Sequence, residues 1–281
     1  MTIRLVTDST ADIPLEQAEA LGITIVPLTV FFGEEAYLDN VELDNAGFYR
    51  KLQASKDLPR TSQPPPAKFQ EAYQRLIDEG ATGILSVHLS SGLSGTYQSA
   101  CTARDNLADT GTQVPVAVID SKSISIGMSQ AAIRAAQEAS AGLSLEEIKA
   151  HLLDQLAHTH ILAVLDTLEY VKRGGRIGGA KALLGNMLSV KPIVSLKNGL
   201  VVPLEQPRTR SKAYARVAQL IHELGELESL TIAETNEEVG QQLCDALKAV
   251  YPHDILRYKL GAVFGTHSGP GTVVVSAVTV Q

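Results

Sequence analysis

Residues 84–99, ILSVHLSSGLSGTYQS, form the segment whose residue types point most directly to chemistry. Here an apolar strand is predicted to end in a cluster of hydroxyl side chains and glycines, immediately before a helix can begin. The hydroxyls donate hydrogen bonds, the glycines let backbone N–H groups approach a ligand, and the following helix contributes the positive end of its dipole. Such a junction could hold one acidic ligand group without a metal ion. An ordinary loop with a serine N-cap explains the same residues, so this segment alone does not decide between the two.

Two further segments could supply donors to the same acidic group. Residues 265–271, GTHSGPG, place His267 among glycines just before the last predicted strand, and taken alone this histidine is expected to be a turn residue. If that loop faces the first one, an imidazole N–H and several hydroxyls converge on one group, which is an arrangement that binds a carboxylate. Residues 61–66, TSQPPP, are predicted to be a loop, because their prolines prevent regular pairing. The hydroxyl of Thr61 would then be presented from a restrained backbone.

A serine hydrolase is the competing interpretation of these residues. It takes Ser94 as the nucleophile, His267 as the base and either Asp8 or Asp120 as the orienting acid. The sharp strand-to-helix turn of such enzymes carries the pattern G-x-S-x-G, whereas residues 92–95, GLSG, are one residue short of it. The sequence therefore favours ligand binding over hydrolysis.

Short basic patches interrupt an otherwise acidic chain. Arg173 and Arg176 lie in the motif KRGGRIGG, and Arg208 and Arg210 lie in PRTRSK. Solvated helix ends account for most such patches, and a docking site for a partner or for phosphate is the functional alternative. The chain lacks the pattern G-x-x-x-x-G-K-[ST] of nucleotide-binding loops, and its histidines lack the spacing of metal ligands. Neither a nucleotide cofactor nor a metal ion is therefore expected.

The composition is that of an ordinary soluble protein large enough for two domains. Of its 281 residues 44% are hydrophobic and 20% are charged, and the formal net charge is −7. Binding to nucleic acid or to an anionic membrane needs a broad surplus of lysine and arginine, which this chain lacks. Cys101 and Cys244 are far apart in sequence, so no disulfide framework or zinc site is predicted. Because there is no secretory leader and no apolar run long enough to span a bilayer, we expect a cytoplasmic protein.

The first half of the chain alternates predicted strands and helices. Strands are predicted at residues 3–6, 84–87 and 116–119, and helices at residues 15–21, 67–78 and 95–107. This alternation is typical of a mostly parallel sheet with helices on both faces, whose ligands gather at the carboxyl ends of the strands. Polar residues follow three of these ends, at residues 8–10, 90–91 and 120–121. Residues 23–32 are expected to form one or two strands, and the stretch from there to residue 44 is expected to be irregular.

The second half is predicted to contain a mixed sheet. A polar helix at residues 144–158 separates it from the first half, and a strand at residues 161–165 opens it. Asn198-Gly199 lies between apolar runs and is a strong hairpin signal, so antiparallel strands join the sheet there. The other predicted elements are helices at residues 180–188, 211–224 and 237–250 and strands at residues 230–233, 255–260 and 272–280. We therefore predict an α/β fold of two domains, residues 1–158 and residues 159–281.

Taken together, the motifs resemble those of the DegV family. They are DST at residues 8–10, SSGLSGTYQSA at 90–100, VIDSKSIS at 118–125, EYVKRGGRIGGAKALLG at 169–185 and THSGPG at 266–271. Their order and their spread over the whole chain make the resemblance far more specific than any single motif. It implies a two-domain α/β protein with a buried ligand tunnel between the domains. Such a protein binds one long-chain fatty acid and is not an enzyme by itself.

The resemblance also implies which residues hold the fatty-acid carboxylate. They are Thr61, His267 and a serine of the SSGLSG loop, for which Ser94 is our choice, with Ser91 and the backbone N–H of Gly95 beside it. A carboxylate in a low-dielectric pocket costs several kcal/mol unless it is fully hydrogen-bonded, so this set of donors has to be complete. Each buried methylene contributes roughly 0.8 kcal/mol, so a chain of about fourteen offers on the order of 11 kcal/mol before association costs.

Characterised members of the family act as the fatty-acid-binding subunit of a bacterial fatty acid kinase. The resemblance therefore implies that a separate ATP-dependent kinase subunit phosphorylates the bound carboxylate, and that the acyl phosphate enters phospholipid synthesis. Arg173, Arg176, Arg208 and Arg210 are similar in setting to basic residues that serve kinase docking. Transient membrane contact is compatible with such a carrier. No cofactor other than the fatty-acid ligand is implied.

Overall fold

The computed structural model describes residues 2–181 and 190–280, and these residues form an α/β fold with three sheets. The strands are β1 (Ile3–Asp8), β2 (Ile23–Val26), β3 (Thr29–Phe32), β4 (Glu35–Leu38), β5 (Arg60–Ser62), β6 (Gly83–His88), β7 (Val116–Asp120), β8 (Thr159–Val164), β9 (Ile193–Lys197), β10 (Leu200–Glu205), β11 (Leu227–Glu234), β12 (Leu256–Lys259) and β13 (Val273–Thr279). The helices are α1 (Leu15–Ala20), α2 (Asn45–Ala54), α3 (Pro66–Asp78), α4 (Thr96–Ala108), α5 (Ile126–Ser140), α6 (Leu145–Ala157), α7 (Glu169–Arg173), α8 (Arg210–Glu223), α9 (Glu237–Leu247) and α10 (Ala262–Ser268).

The first sheet is the predicted parallel sheet, with strand order β2-β1-β6-β7. Because successive residues of a strand point to opposite faces, each face buries a different set of side chains. Leu5 packs with α5 and α6 on one face, whereas Val6 packs with α3 and α4 on the other. The helices on both faces are therefore confirmed, and the elements predicted for this sheet differ from the observed ones by only one or two residues at their ends.

A small antiparallel sheet of order β4-β3-β5 corrects two of the predictions. The stretch after residue 32 is not irregular throughout, because β4 folds back on β3. The segment that begins at Thr61 is not simply a loop, because Thr61 pairs with Val30. Its prolines begin only at Pro64, after the last paired residue, and Pro66 opens α3, where a missing backbone N–H costs little.

The third sheet is mixed, as predicted, and has strand order β10-β9-β8-β13-β11-β12. Its neighbouring strands run antiparallel except for β11 and β12. Asn198 and Gly199 have φ angles of 52° and 78°, which is what the predicted tight turn between β9 and β10 requires. Helices α8 and α9 cover one face of this sheet. The helix predicted at residues 180–188 falls almost entirely outside the described residues.

The other face of the mixed sheet lies against the first half of the chain. There Ile126 of α5 belongs to the same buried cluster as Ile161 and Val274, so α5 lies between the two large sheets. Helix α10 comes from the second half, yet it packs against α2 and the small sheet, where Val263 and Phe48 share a core. The two halves therefore enclose the space in which a ligand could lie. Among the described residues, no helix is both long enough and apolar enough to cross a bilayer.

Candidate functional site

An apolar cavity lies between the mixed sheet and the first half of the chain. It contains about 820 Å³ of empty space, a figure that includes space open to solvent. The mixed sheet contributes Ile161, Ala163, Val194, Leu196, Val201 and Val274 to the lining. The remaining apolar lining residues are Leu28, Leu89, Leu93, Ile124, Leu165, Val171, Val263 and Phe264. The lining is thus mostly aliphatic, and both halves of the chain supply it.

Polar side chains line one part of this cavity. Thr61 of β5 and His267, in the last turn of α10, are joined by a hydrogen bond of 2.8 Å between Thr61 Oγ1 and His267 Nε2. Ser94 lines the same cavity, and its hydroxyl is hydrogen-bonded to that of Thr96 at 2.9 Å. The three residues expected to hold a carboxylate therefore line one cavity. His267 lies in a helix, however, and not in the glycine turn that the sequence indicated.

The loop between β6 and α4 presents Ser94 because both of its ends are held. The N–H groups of Leu93 and Ser94 donate to the carbonyl of Ser90, at 2.9 and 3.2 Å, which closes a turn. The buried hydroxyl of Ser90 donates to the carbonyl of Gly199, at 2.7 Å, and so ties this turn to the β9–β10 hairpin. Sequence analysis missed this role of Ser90, and the run of hydroxyl residues was its only signal.

The environment of His267 keeps its imidazole neutral. Burial and, to a smaller extent, the nearby positive charge of Arg176 together lower the pKa of His267 to about 4. A neutral imidazole has one N–H donor and one acceptor nitrogen. The Nδ1 atom is buried and has no hydrogen-bond partner among the described residues, and a Cβ atom at Gly174 would lie only 2.2 Å from it. Glycine at position 174 therefore gives the imidazole the room that it occupies.

Arg176 belongs to this polar part of the cavity, although the sequence suggested only a docking role for it. Its side chain lines the cavity together with His267. The Nε–H group donates to the carbonyl of Leu93 at 3.1 Å, and one terminal N–H donates to the carbonyl of Gly174 at 2.6 Å. The guanidinium thus joins the loop that carries Ser94 to the loop beside His267. It also supplies positive charge next to the hydroxyl and imidazole donors.

Two other residues expected at the site are turned away from the cavity. The hydroxyl of Ser91 donates to Asp120 at 2.6 Å, and its backbone N–H donates to the same carboxylate at 3.1 Å. Ser91 therefore holds the rim of the first sheet. Gly95 lies against the side chain of Gln63, because a Cβ atom there would be 2.6 Å from Gln63 Nε2. Neither residue is among those that line the cavity.

The other arginines expected to serve docking occupy different surroundings. Arg173 is exposed and forms an ion pair of 2.6 Å with Glu169. It also borders a second cavity of about 770 Å³, which shares Thr61, Arg176 and His267 with the first. Arg210 forms an ion pair with Asp166. Arg208 is exposed near the start of α8.

The geometry contradicts the hydrolase interpretation. Asp120 binds Ser91, and Asp8 accepts hydrogen bonds from Thr10 and Leu89 and contacts the ring of His88. Neither carboxylate therefore orients His267, and the hydroxyl of Ser94 is hydrogen-bonded to a threonine hydroxyl, that of Thr96.

A Ser-His-Asp series does exist elsewhere, where Ser86 Oγ lies 2.7 Å from His88 Nε2 and His88 Nδ1 lies 3.0 Å from Asp8 Oδ2. All three side chains are fully buried in the first sheet, so no substrate can reach them. In residues 2–181 and 190–280, no group of three or more His, Cys, Asp or Glu side chains is placed to hold a metal ion.

Known proteins resemble this chain over its whole length. The family model for the uncharacterised DegV family matches residues 2–280. A DegV domain-containing protein of Halalkalibacterium halodurans is 38% identical, covering 98% of this chain and 97% of the relative. A fatty-acid-binding DegV family protein of Thermus thermophilus has a solved structure that superposes with a TM-score of 0.90 at 33% identity, with 100% of both chains covered. DegV of Bacillus subtilis, solved as a fatty acid binding protein, has a TM-score of 0.88 at 35% identity over 99% of this chain and 100% of its own. The chain therefore belongs to the DegV family.

Proposed function

We propose that the protein binds one long-chain fatty acid, with the acyl chain in the apolar cavity and the carboxylate at Thr61, Ser94 and His267. The observation that carries this proposal is a mostly aliphatic cavity whose lining also includes an imidazole, a guanidinium and four hydroxyls, those of Thr61, Ser94, Ser195 and Ser268. A ligand that matches it has a long apolar body and one acidic end. The relatives from Thermus thermophilus and Bacillus subtilis, both described as fatty acid binding, support the same ligand class.

The apolar lining accounts for affinity. Each methylene that leaves water contributes roughly 0.8 kcal/mol, so about fourteen methylenes contribute on the order of 11 kcal/mol before association costs are subtracted. The lining side chains come from strands and helices that are already packed, such as Val194 and Val274 of the mixed sheet. Little ordering of the protein is therefore needed when the chain enters.

The polar residues account for orientation. The hydroxyls of Thr61 and Ser94 and one ring N–H of His267 can donate to the two carboxylate oxygens. Arg176 adds a positive charge that favours the ionised head group over a neutral one. A carboxylate that found fewer donors would lose several kcal/mol to desolvation, so these residues fix which end of the ligand lies here.

We further propose that the carboxylate is presented to a separate ATP-dependent kinase subunit, which forms an acyl phosphate that feeds phospholipid synthesis. The second cavity supports this step, because it approaches Thr61 and His267 from the outside and is bordered by Arg60 and Arg173. Its guanidinium groups suit an anionic partner surface. Arg208 and Arg210 are proposed as a further part of the docking surface, with Arg210 partly neutralised by Asp166.

In this scheme the chain is a carrier and not an enzyme, and it uses no cofactor of its own. Since the kinase consumes ATP, the carrier acts in the cytoplasm, and it touches a membrane only transiently when fatty acid is exchanged. The division into domains at residues 1–158 and 159–281 is retained as part of this proposal, because the boundary falls between α6 and β8.

Extraction of the purified protein into organic solvent, followed by mass spectrometry, tests the binding proposal. We expect about one C14 to C20 fatty acid per chain, because one apolar cavity with one set of polar residues is proposed to hold it. A chain that releases no lipid, takes up none when offered, and reacts with a serine-directed phosphonate would instead support the hydrolase interpretation.

The kinase step is tested with Ser94→Ala and His267→Ala. Both variants should fold and should lose acyl phosphate formation when the kinase subunit and ATP are supplied. Ser91→Ala is the matched control, since its hydroxyl binds Asp120 and not the cavity. Full acyl phosphate formation in both variants would show that Ser94 and His267 do not hold the carboxylate.

A further inference from the structure

Helix α10 is the element that carries His267, and it is too short to fix its own position. It contains seven residues, and its N-cap is Gly261, which has no side chain to cap the helix. The first backbone N–H groups of a helix have no partners inside it, so other segments must satisfy them. Whatever holds this end of α10 also sets where His267 lies, about 9 Å along the axis at 1.5 Å per residue.

Asp12 holds that end. Its Oδ1 accepts the N–H of Gly261 at 2.9 Å, and its Oδ2 accepts the hydroxyl of Ser125. A Cβ atom at position 261 would lie 2.4 Å from Asp12 Oδ1, so glycine permits the contact. One carboxyl group thus joins the loop after β1, the start of α5 and the start of α10. These three segments are far apart in sequence, and the backbone N–H of Ser125 also donates to the carbonyl of Thr10 at 2.8 Å.

A second carboxyl group lies beside the first. Asp39 is 1% exposed and lies near the hydroxyl of Ser9 and the backbone N–H of Ala262, the first residue of α10, but within the described residues neither of its carboxyl oxygens makes a well-formed hydrogen bond. The backbone N–H of Asp39 donates to the carbonyl of Leu28 at 2.9 Å, and Leu28 lines the cavity. The two carboxyl groups therefore connect the start of α10 with the cavity wall.

Burying two carboxyl groups this way is expensive. Burial raises the pKa of both Asp12 and Asp39, the charge of Asp39 raises that of Asp12 further, and the charge of Asp8 raises both. The groups that face them are Asp8, Tyr49 and Ser125, none of which is a cation. A plain core would be more stable with apolar side chains here. The chain keeps both carboxyl groups despite the free-energy cost of burying them, which indicates that their contact with the start of α10 has a role other than core stability.

We propose that Asp12, with Asp39 beside it, is a positioning residue of the head-group site, which holds the start of α10 so that His267 meets the ligand carboxylate and Thr61. The far end of α10 makes the 2.8 Å hydrogen bond to Thr61. A short helix moves as a rigid unit, so release at Gly261 displaces His267. This inference rests on the proposed fatty-acid binding.

The test compares hexadecanoic acid with 1-hexadecanol, which has the same chain length but no carboxylate. Asp12→Ala should weaken binding of the acid about tenfold or more, the loss expected for a hydrogen bond to a charged group, and should leave binding of the alcohol nearly unchanged. Asp12→Asn should restore binding of hexadecanoic acid, because the amide oxygen still accepts a hydrogen bond from the N–H of Gly261 and the NH₂ group can donate to the hydroxyl of Ser125. If Asp12→Ala does not fold, Ser125→Ala, which removes one of the two contacts, should give the same selective loss in weaker form.

Two controls separate positioning from general stability. Ser144→Ala removes the N-cap of α6 and should lower the thermal midpoint without changing the ratio of the two affinities. In a His267→Ala background, Asp12→Ala should lower the affinity for hexadecanoic acid little further, because both substitutions act through the His267 imidazole.

Equal losses for acid and alcohol, or an undiminished loss in the His267→Ala background, would overturn the inference. Failure of the unaltered protein to bind either ligand would instead overturn the proposed function.

Discussion

Gly174→Ala tests whether the room beside His267 is needed for binding. A Cβ atom at position 174 would lie 2.2 Å from His267 Nδ1 and 3.0 Å from its Cε1. The backbone of Gly174 is helical, with φ −69°, so alanine introduces no backbone strain. The imidazole must move by about 1.2 Å to restore an ordinary contact of 3.4 Å. That movement is comparable to the difference between a good and a broken hydrogen bond to Thr61, which now measures 2.8 Å.

The expected loss follows from that displaced donor. A hydrogen bond to a charged group contributes about 1.5–3 kcal/mol, and each 1.4 kcal/mol is tenfold in affinity. Gly174→Ala should therefore weaken the binding of hexadecanoic acid by about 10- to 150-fold, measured by displacement of a fluorescent fatty acid. The affinity for 1-hexadecanol should fall much less, because the lining of the acyl chain is untouched.

Gly179→Ala is the matched control. Its nearest neighbour, Pro203 Cδ, would be 3.6 Å from the added Cβ atom, which is an ordinary contact. This variant should bind both ligands as the unaltered protein does. If Gly174→Ala keeps its full affinity for the acid, the imidazole does not donate to the carboxylate from its present position, and the assignment of His267 is wrong.

Two further predictions concern stability. Burial raises the pKa of Asp39 from 3.8 to about 7, so between pH 4 and 7 the folded protein keeps a proton that the unfolded chain releases, and the free energy of unfolding falls as pH rises through that window. Asp39→Asn should remove up to about 4 kcal/mol of this fall. Urea titrations that give the same pH dependence for the variant and the unaltered protein would contradict this prediction. Ser90→Ala removes the hydroxyl that binds the Gly199 carbonyl at 2.7 Å and the Gly92 N–H at 3.1 Å. It should lower the free energy of unfolding by about 1–3 kcal/mol. If the thermal midpoint changes no more than in the control variant Thr102→Ala, the hairpin contact contributes nothing to stability.

The sheets could be predicted because their signals are local. Strand and helix periodicity, and the Asn198-Gly199 turn, act over a few residues and were sufficient for the order of most elements. The pairing of Thr61 could not be found in this way, because its partner Val30 lies 31 residues away. Helix α5 was not predicted, although its sequence is amphipathic, and its burial between two sheets depends on segments that are distant in sequence.

The candidate site was predicted in part, for a related reason. The polar residue types of Thr61, Ser94 and His267 indicate hydrogen bonding from the sequence alone. The burial of Asp12 and the position of Arg176 in the cavity lining depend instead on segments that are distant in sequence. The glycines near His267 favoured a turn, whereas its backbone is helical. Gly265 lies inside α10, where a Cβ atom would be 2.6 Å from Phe48, so it serves close packing and not a turn.

The place of β13 in the mixed sheet bears on how the protein is made. This strand lies between β8 and β11, so those two strands have no shared neighbour until residues 273–279 have left the ribosome. The parallel sheet uses only residues 3–120 and can form during synthesis. Val274, which closes one wall of the cavity, and His267 arrive with the final stretch of chain. A nascent chain therefore completes the proposed binding cavity only after residues 273–279 are made, and we expect deletion of β13 to abolish binding while leaving the first sheet folded.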